Sequence, residues 1–148
     1  MTQMQPATVK QHAMKHFFIS CVLVFATAVH GHCFKEAAAR YGVSQPLLLA
    51  IAKHESGGNV SAIHRNPNGT RDIGLMQINS AWLPFLASRG LHEQDLYDPC
   101  VNVLVAAWIL SSNFQRLGYN TQGLGAYNAA TPWKRERYAR KILQTFQY

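Results

Sequence analysis

A chain of 148 residues has room for one domain and little more. With 48% apolar and 14% charged residues it can bury a core, so it need not be disordered or rely on staples. Fourteen Lys and Arg against seven Asp and Glu give a net charge of +7, which favours an anionic partner such as nucleic acid, a membrane surface or cell wall without choosing among them.

Lys15 and His16 precede an apolar run from Phe17 to Val29, and Val29 and Gly31 suit the −3 and −1 positions of cleavage before His32. Residues 1–31 are therefore expected to be a secretory signal peptide with an amino-terminal extension, Met14 being an alternative start, and residues 32–148 the mature domain. The run falls short of the ~20 residues a transmembrane helix needs. No stable membrane insertion is expected once the signal is cleaved, although an uncleaved signal would act as an anchor. The mature protein is expected to be periplasmic or secreted. Its two cysteines, Cys33 and Cys100, would then meet an oxidising compartment, where a disulfide is the simple expectation and two buried thiols the alternative. Such a bond closes a loop of about 66 residues and stabilises by roughly 3–4 kcal/mol on the chain-entropy view. No Cys-x-x-Cys or His-Glu-x-x-His is present, so neither metal nor cofactor is expected.

In chain order, Phe34–Tyr41 reads as a short amphipathic helix ended by Gly42. Ser44 caps a second helix with Pro46 in its first turn. This helix is apolar through Leu47, Leu48, Ile51 and Ala52 and is stopped by Gly57-Gly58. Residues 59–72, rich in Asn, Gly, Ser and Pro, read as a polar loop with a turn at Asn66-Pro67-Asn68-Gly69. Ile73–Ile78 is apolar but too short to assign as a strand. Ser80 is expected to cap a helix to about Ser88, ended by Gly90. Asp98-Pro99 opens the longest helix, to Leu117, with Val101, Leu104, Val105, Trp108 and Ile109 as its buried stripe. A short helix over Thr121–Asn128 and a last one over Lys134–Phe146 follow. Strand-like alternation is scarce, so the expected fold is mainly α, a compact helical domain with a cleft. The basic runs Lys134-Arg135-Glu136-Arg137 and Arg140-Lys141 read as a solvated helix face.

Glu55 is the informative carboxylate. It closes an apolar helix just before Ser56-Gly57-Gly58, where partial burial raises a carboxyl pKa. The carboxyl end of a helix also disfavours negative charge. A carboxyl so raised can hold a proton near neutral pH and donate it to a leaving oxygen. An ordinary solvent-exposed glutamate is the competing reading.

Four motifs turn this reading into a resemblance. His54-Glu55-Ser56-Gly57-Gly58, Asp72-Ile-Gly-Leu-Met-Gln-Ile-Asn79, Ala126-Tyr127-Asn128-Ala129 and Tyr138 occur in the order and spacing of the lytic transglycosylases of the soluble, goose-lysozyme-like superfamily. The small size, signal and cysteine pair resemble the short members that accompany type III and type IV secretion, conjugation and pilus machines. The resemblance implies a lysozyme-like fold, peptidoglycan glycan strands as substrate and components of such a machine as partners. It implies that Glu55 protonates the oxygen between N-acetylmuramic acid and N-acetylglucosamine and then takes the proton of the muramic C6 hydroxyl. That hydroxyl closes on C1 to leave a 1,6-anhydro end.

By the same resemblance Ser56 orients Glu55 or the substrate acetamido group, a helix-end cap being the other reading. Gln77 hydrogen-bonds sugar, or else is a buried, satisfied amide. Tyr127, Asn128 and Tyr138 line the cleft near Glu55, with Tyr138 readable also as a core tyrosine. Asn79 stands where larger members carry Met, so it is either a sugar contact or a cap of the next helix. His54 is expected to point off the active face. Trp82, Trp108 and Trp133 can stack on sugars, Trp108 reading more as packing. A conventional glycosidase needs a second carboxylate roughly 5–9.5 Å away. Asp72 is the only acid near a motif, but matching family positions supply no nucleophile, and it reads as a loop or cap residue. The rivals are a hydrolytic muramidase and a non-catalytic wall-binding assembly protein. A nucleic-acid partner is not expected, because no basic and aromatic platform accompanies the charge.

Overall fold

The computed structural model describes residues 33–145, so the expected signal segment lies outside the described residues. Residues 33–41 form helix α1, which Gly42 ends with φ +64°. Helix α2 spans Gln45–Ser56; Ser44 Oγ accepts a hydrogen bond from the Leu47 N–H, Pro46 sits in the first turn, and Gly57 closes the helix in the left-handed conformation. Leu48 and Ile51 of this helix are fully buried.

The polar stretch after α2 is more ordered than its composition suggests. Strands β1 (Ile63–Arg65), β2 (Arg71–Ile73) and β3 (Ile78–Asn79) form an antiparallel sheet in that order, with His64 opposite Asp72 and Asp72 opposite Asn79. This corrects the expectation of a loop followed by an unassigned run. Strands of two or three residues cannot display a period of two, so alternation had no room to show. The expected turn is present: the Asn66 N–H bonds the Thr70 carbonyl at 2.9 Å and the Gly69 N–H bonds the Asn66 carbonyl at 3.0 Å.

The helix expected from Ser80 is divided. A 3₁₀ turn over Ser80–Trp82 leads into the short helix α3, Leu83–Ala87. The cap is Asn79, whose Oδ1 accepts from the Ala81 N–H at 2.9 Å, while Ser80 Oγ reaches back to accept from the Arg71 N–H at 2.9 Å. After a second 3₁₀ turn at Glu93–Tyr97, Asp98 caps helix α4, Pro99–Leu117. Helix α5 covers Thr121–Gly125, ending three residues before the expected Asn128, and α6 covers Pro132–Gln144.

The buried stripe of α4 also needs correction. Val105 and Ile109 are buried as expected, but Val101, Leu104 and Trp108 are only partly buried, and Val103, Ala106, Ala107 and Leu110 carry the core instead. A central helix that is apolar on nearly every side gives no unique stripe from spacing. Cys33 and Cys100 are disulfide-bonded, with Cα atoms 5.2 Å apart, and join α1 to the start of α4. Among the described residues no helix is long and apolar enough to cross a membrane.

Candidate active site

Glu55 lies at the edge of a cavity of about 510 Å³ between the helices and the small sheet. On the helical side, Tyr138 of α6 donates its hydroxyl to Glu55 Oε1 at 2.5 Å, and the two tyrosine rings of Tyr138 and Tyr127 stack with centroids 6.5 Å apart. Burial of Glu55 raises its pKa above the usual carboxylate range; the Tyr138 bond pulls it down, and the charge of Asp72 pushes it up. The net direction is upward, as the apolar helix end predicts. Both tyrosine hydroxyls are pushed up by burial and then by Glu55, so they remain donors across any working pH.

Gln77 and Ile78 line the cavity, and the segment Gly74–Gln77, buried through Met76, forms its supporting floor, held from several sides. The Gly74 N–H bonds the Ala62 carbonyl at 2.8 Å. Ser56 Oγ donates to the Leu75 carbonyl at 2.7 Å. Asn102 Oδ1 accepts from the Met76 N–H at 2.7 Å, and Tyr127 donates its hydroxyl to the Met76 carbonyl at 2.8 Å. Asn102 is fully buried in α4, and its Nδ2 donates to the carbonyls of Ile73 and Leu96 at 3.0 and 2.8 Å. A Cβ on Gly74 would lie 2.5 Å from that Nδ2 and 2.6 Å from the Leu96 carbonyl oxygen, and its φ is +77°; both facts demand glycine. Gln77 takes φ +51°, an uncommon conformation for a residue with a side chain. Its Nε2 bonds the carbonyls of Gly74 and Ala62 at 2.8 and 3.1 Å. Both amide hydrogens are thereby used, and Oε1 is left as the acceptor on this cavity-lining side chain.

The sheet side is a network of amides around one acid. Asp72 accepts from Asn79 Nδ2 at 2.6 Å and from Asn66 Nδ2 at 2.9 Å. Thr70 Oγ1 accepts from the same two amides at 3.0 and 3.1 Å and donates to Asn68 Oδ1 at 2.8 Å. Asp72 is therefore a strand residue that lines the cavity, neither loop nor cap, which corrects that expectation.

The sequence-predicted residues thus separate by location. Glu55, Gln77, Asn79, Tyr127 and Asn128 line one cavity, and Tyr138 reaches it through Glu55. Ser56 makes no bond to Glu55; its hydroxyl reaches the Leu75 carbonyl at 2.7 Å and the Ala52 carbonyl at 3.3 Å and accepts from the Gly58 N–H, so it closes the helix end, its alternative reading, and ties that end to the floor. Asn79 caps the turn at Ser80, the second of its readings, and lines the cavity with its amide bonded to Asp72 and Thr70. Trp82 lines this cavity, while Trp108 and Trp133 face other hollows. Sequence reasoning reads Asn66 and Asn68 only as part of a turn and misses Thr70 and Asn102. The signal for Asn102 was its isolation in an apolar helix, since a buried amide is kept where it is fully bonded. Among the described residues no cluster of His, Cys, Asp and Glu could hold a metal ion.

Residues 32–144 match the family model of the Transglycosylase SLT domain, and the chain belongs to that family of peptidoglycan-acting, lysozyme-like proteins. It is 39% identical over 140 residues to the invasion protein IagB of Salmonella typhimurium (strain SL1344), covering 90% of this chain and 88% of that relative. It is 38% identical over 119 residues to the protein IpgF of Shigella flexneri, covering 77% and 78%. A peptidoglycan-binding-like protein of Escherichia coli O157:H7 is 36% identical over 138 residues, covering 85% and 83%. By family, then, this is a lytic transglycosylase-like enzyme with peptidoglycan as substrate, a polymer that lies outside the cytoplasmic membrane.

Proposed function

We propose that the protein cleaves the β-1,4 bond between N-acetylmuramic acid and N-acetylglucosamine without consuming water, with Glu55 as both acid and base. One observation carries this reading: the half-buried Glu55 carboxyl, raised in pKa by burial, stands at the cavity with one oxygen tied to Tyr138. Because Oε1 accepts the Tyr138 hydroxyl, Oε2 is the oxygen free to carry the proton. Glu55 gives that proton to the glycosidic oxygen as the bond to the muramic C1 breaks. The resulting carboxylate removes the proton of the muramic C6 hydroxyl, whose oxygen bonds C1. The proton is returned to Glu55, atoms balance, and the product is a 1,6-anhydro end. Gln77 Oε1 and Asn128 are the sugar-facing polar groups in this reading, and Tyr127 acts through the Met76 floor.

The test is digestion of purified cell wall in water enriched in ¹⁸O, followed by mass spectrometry. Unlabelled anhydro-muramic ends support the proposal; reducing ends carrying one solvent oxygen would overturn it. That second outcome defines the alternative, a hydrolytic muramidase, favoured by the Asp72 carboxylate on the same cavity. Retained wall clearing by Glu55→Gln protein would remove either enzymatic reading.

Export by residues 1–31 and release at His32 belong to the same proposal, because the substrate is extracytoplasmic; the intact mass of the exported protein checks the cleavage point. The relative named as an invasion protein supports a local opening of the wall for a secretion, conjugation or pilus apparatus. Normal assembly of every such apparatus in a deletion strain would count against that role.

A further inference from the structure

A second hollow of about 270 Å³ adjoins the first, bounded by His54, Asn128, Trp133, Lys134, Arg137 and Lys141 together with the ring of Tyr138. Asn128 lines both hollows, and the hydroxyl of Tyr138 is the one that holds Glu55. Three cations converge here from one helix. Lys134, Arg137 and Lys141 recur three and four residues apart on α6, so they stack along one face. No ion pair of the described residues involves any of them. The one acid of α6, Glu136, faces away, accepting from Thr121 Oγ1 at 2.7 Å and pairing with Arg140. Arg135 is taken by the Ala129 carbonyl at 3.1 Å. Like charges so arranged repel, and no carboxylate of the described residues pairs with them. Trp133 is 62% exposed beside them, with Lys134 Nζ 5.5 Å from its ring centroid. A basic hollow with an exposed indole, sharing a wall with a glycan site, suits an anionic extension of that glycan.

We propose that this hollow is a subsite for the carboxylate-bearing peptide stem of the peptidoglycan strand, a proposal that rests on the glycan-cleaving reading above. The stem hangs from muramic acid alone, by its lactyl group, and carries free carboxylates. Muramic acid is also the sugar next to the bond to be cut. A cationic site beside Glu55 therefore reads the one feature that distinguishes alternate sugars, and it sets which of the two alternating bonds meets the acid. Arg137 offers a carboxylate a two-pronged partner, and Lys134 and Lys141 supply flanking charge.

The test compares kcat/KM for stem-bearing glycan strands with that for amidase-stripped strands of matched length. The native protein is expected to favour stem-bearing strands about tenfold. The variant Lys134→Gln/Arg137→Gln/Lys141→Gln is expected to bring that ratio near one, and Arg137→Lys to keep part of it. Equal cleavage of both strands by the native protein, or an undiminished ratio in the triple variant, overturns the subsite alone. Cleavage of neither strand overturns the glycan reading and the subsite with it. A second measurement uses non-cutting Glu55→Gln protein and a stem-bearing disaccharide. Weaker binding once the stem carboxylates are amidated supports the proposal; unchanged binding, or tighter binding of inorganic polyphosphate than of the stem fragment, overturns it.

Discussion

The helical wall of the cavity draws its chemistry from places far apart in the chain: Glu55 lies in the last turn of α2, Tyr127 follows α5 and Tyr138 lies within α6. The opposite wall takes Asn66, Thr70, Asp72, Gln77 and Asn79 from one stretch of fourteen residues. The first wall is aromatic and apolar, and its effect is to desolvate one acid and move its pKa. The second is amide-rich, and its donors are already committed to Asp72, Thr70 and backbone carbonyls. Reactivity and shape are thus assigned to different sides of one cavity. Low dielectric is needed where a proton must be held, and a saturated network where a polymer must be fitted.

The sharpest way to break this division is Glu55→Gln. Wall-cleaving activity should fall about a thousandfold, within the range for general acid–base groups, while circular dichroism stays native. Next in size is Gly74→Ala, which strikes shape alone. A Cβ pressed against Asn102 and the Leu96 carbonyl, in a left-handed conformation, should cost about 2–5 kcal/mol of stability in denaturant unfolding. Were Gly74→Ala to leave stability unchanged, the floor would not be the constrained element described.

Tyr138→Phe should lower turnover about tenfold, the scale of one lost hydrogen bond to a charged group. It also tests electrostatics. The Tyr138 bond lowers the Glu55 pKa, so its removal raises it, and the alkaline limb of the pH–rate profile should move to higher pH. A shift to lower pH would contradict the assignment.

The smallest effect is one of stability. The folded-state pKa of Glu55 lies above its unfolded value, so the folded chain prefers the protonated form. Relative to Glu55→Gln, native stability is matched at pH below the unfolded carboxyl pKa. It is progressively lost as pH rises through the folded pKa. At neutral pH the glutamine variant should therefore melt slightly higher, and the gap should close on acidification.

The same division governs what was legible in the sequence. Helix periodicity, the Ser44 cap and the stop at Gly57 placed Glu55 at a helix end, and burial there followed from the apolar residues around it. Tyr127 and Tyr138 needed the family resemblance, because a tyrosine in a turn or a helix gives no sign of where its hydroxyl goes. The sheet wall was largely illegible. Its strands are too short for a pattern, and Asn66 and Thr70 look like ordinary turn residues until the fold turns them toward Asp72. Ser56 shows the limit within a motif: the resemblance implied direct help to Glu55 or the substrate, whereas adjacent helix positions diverge and its hydroxyl binds the floor instead. Asn102 shows in the sequence only as an isolated amide in an apolar stretch, because its partners are backbone groups of distant residues that local sequence does not name.

Met76 is gripped at both ends of its peptide environment, its N–H by α4 and its carbonyl by the tyrosine after α5. A crossbar bolted at two points neither sags nor swivels. A trough supported in this way would meet an entering sugar chain as a mould, leaving the bending to the sugar.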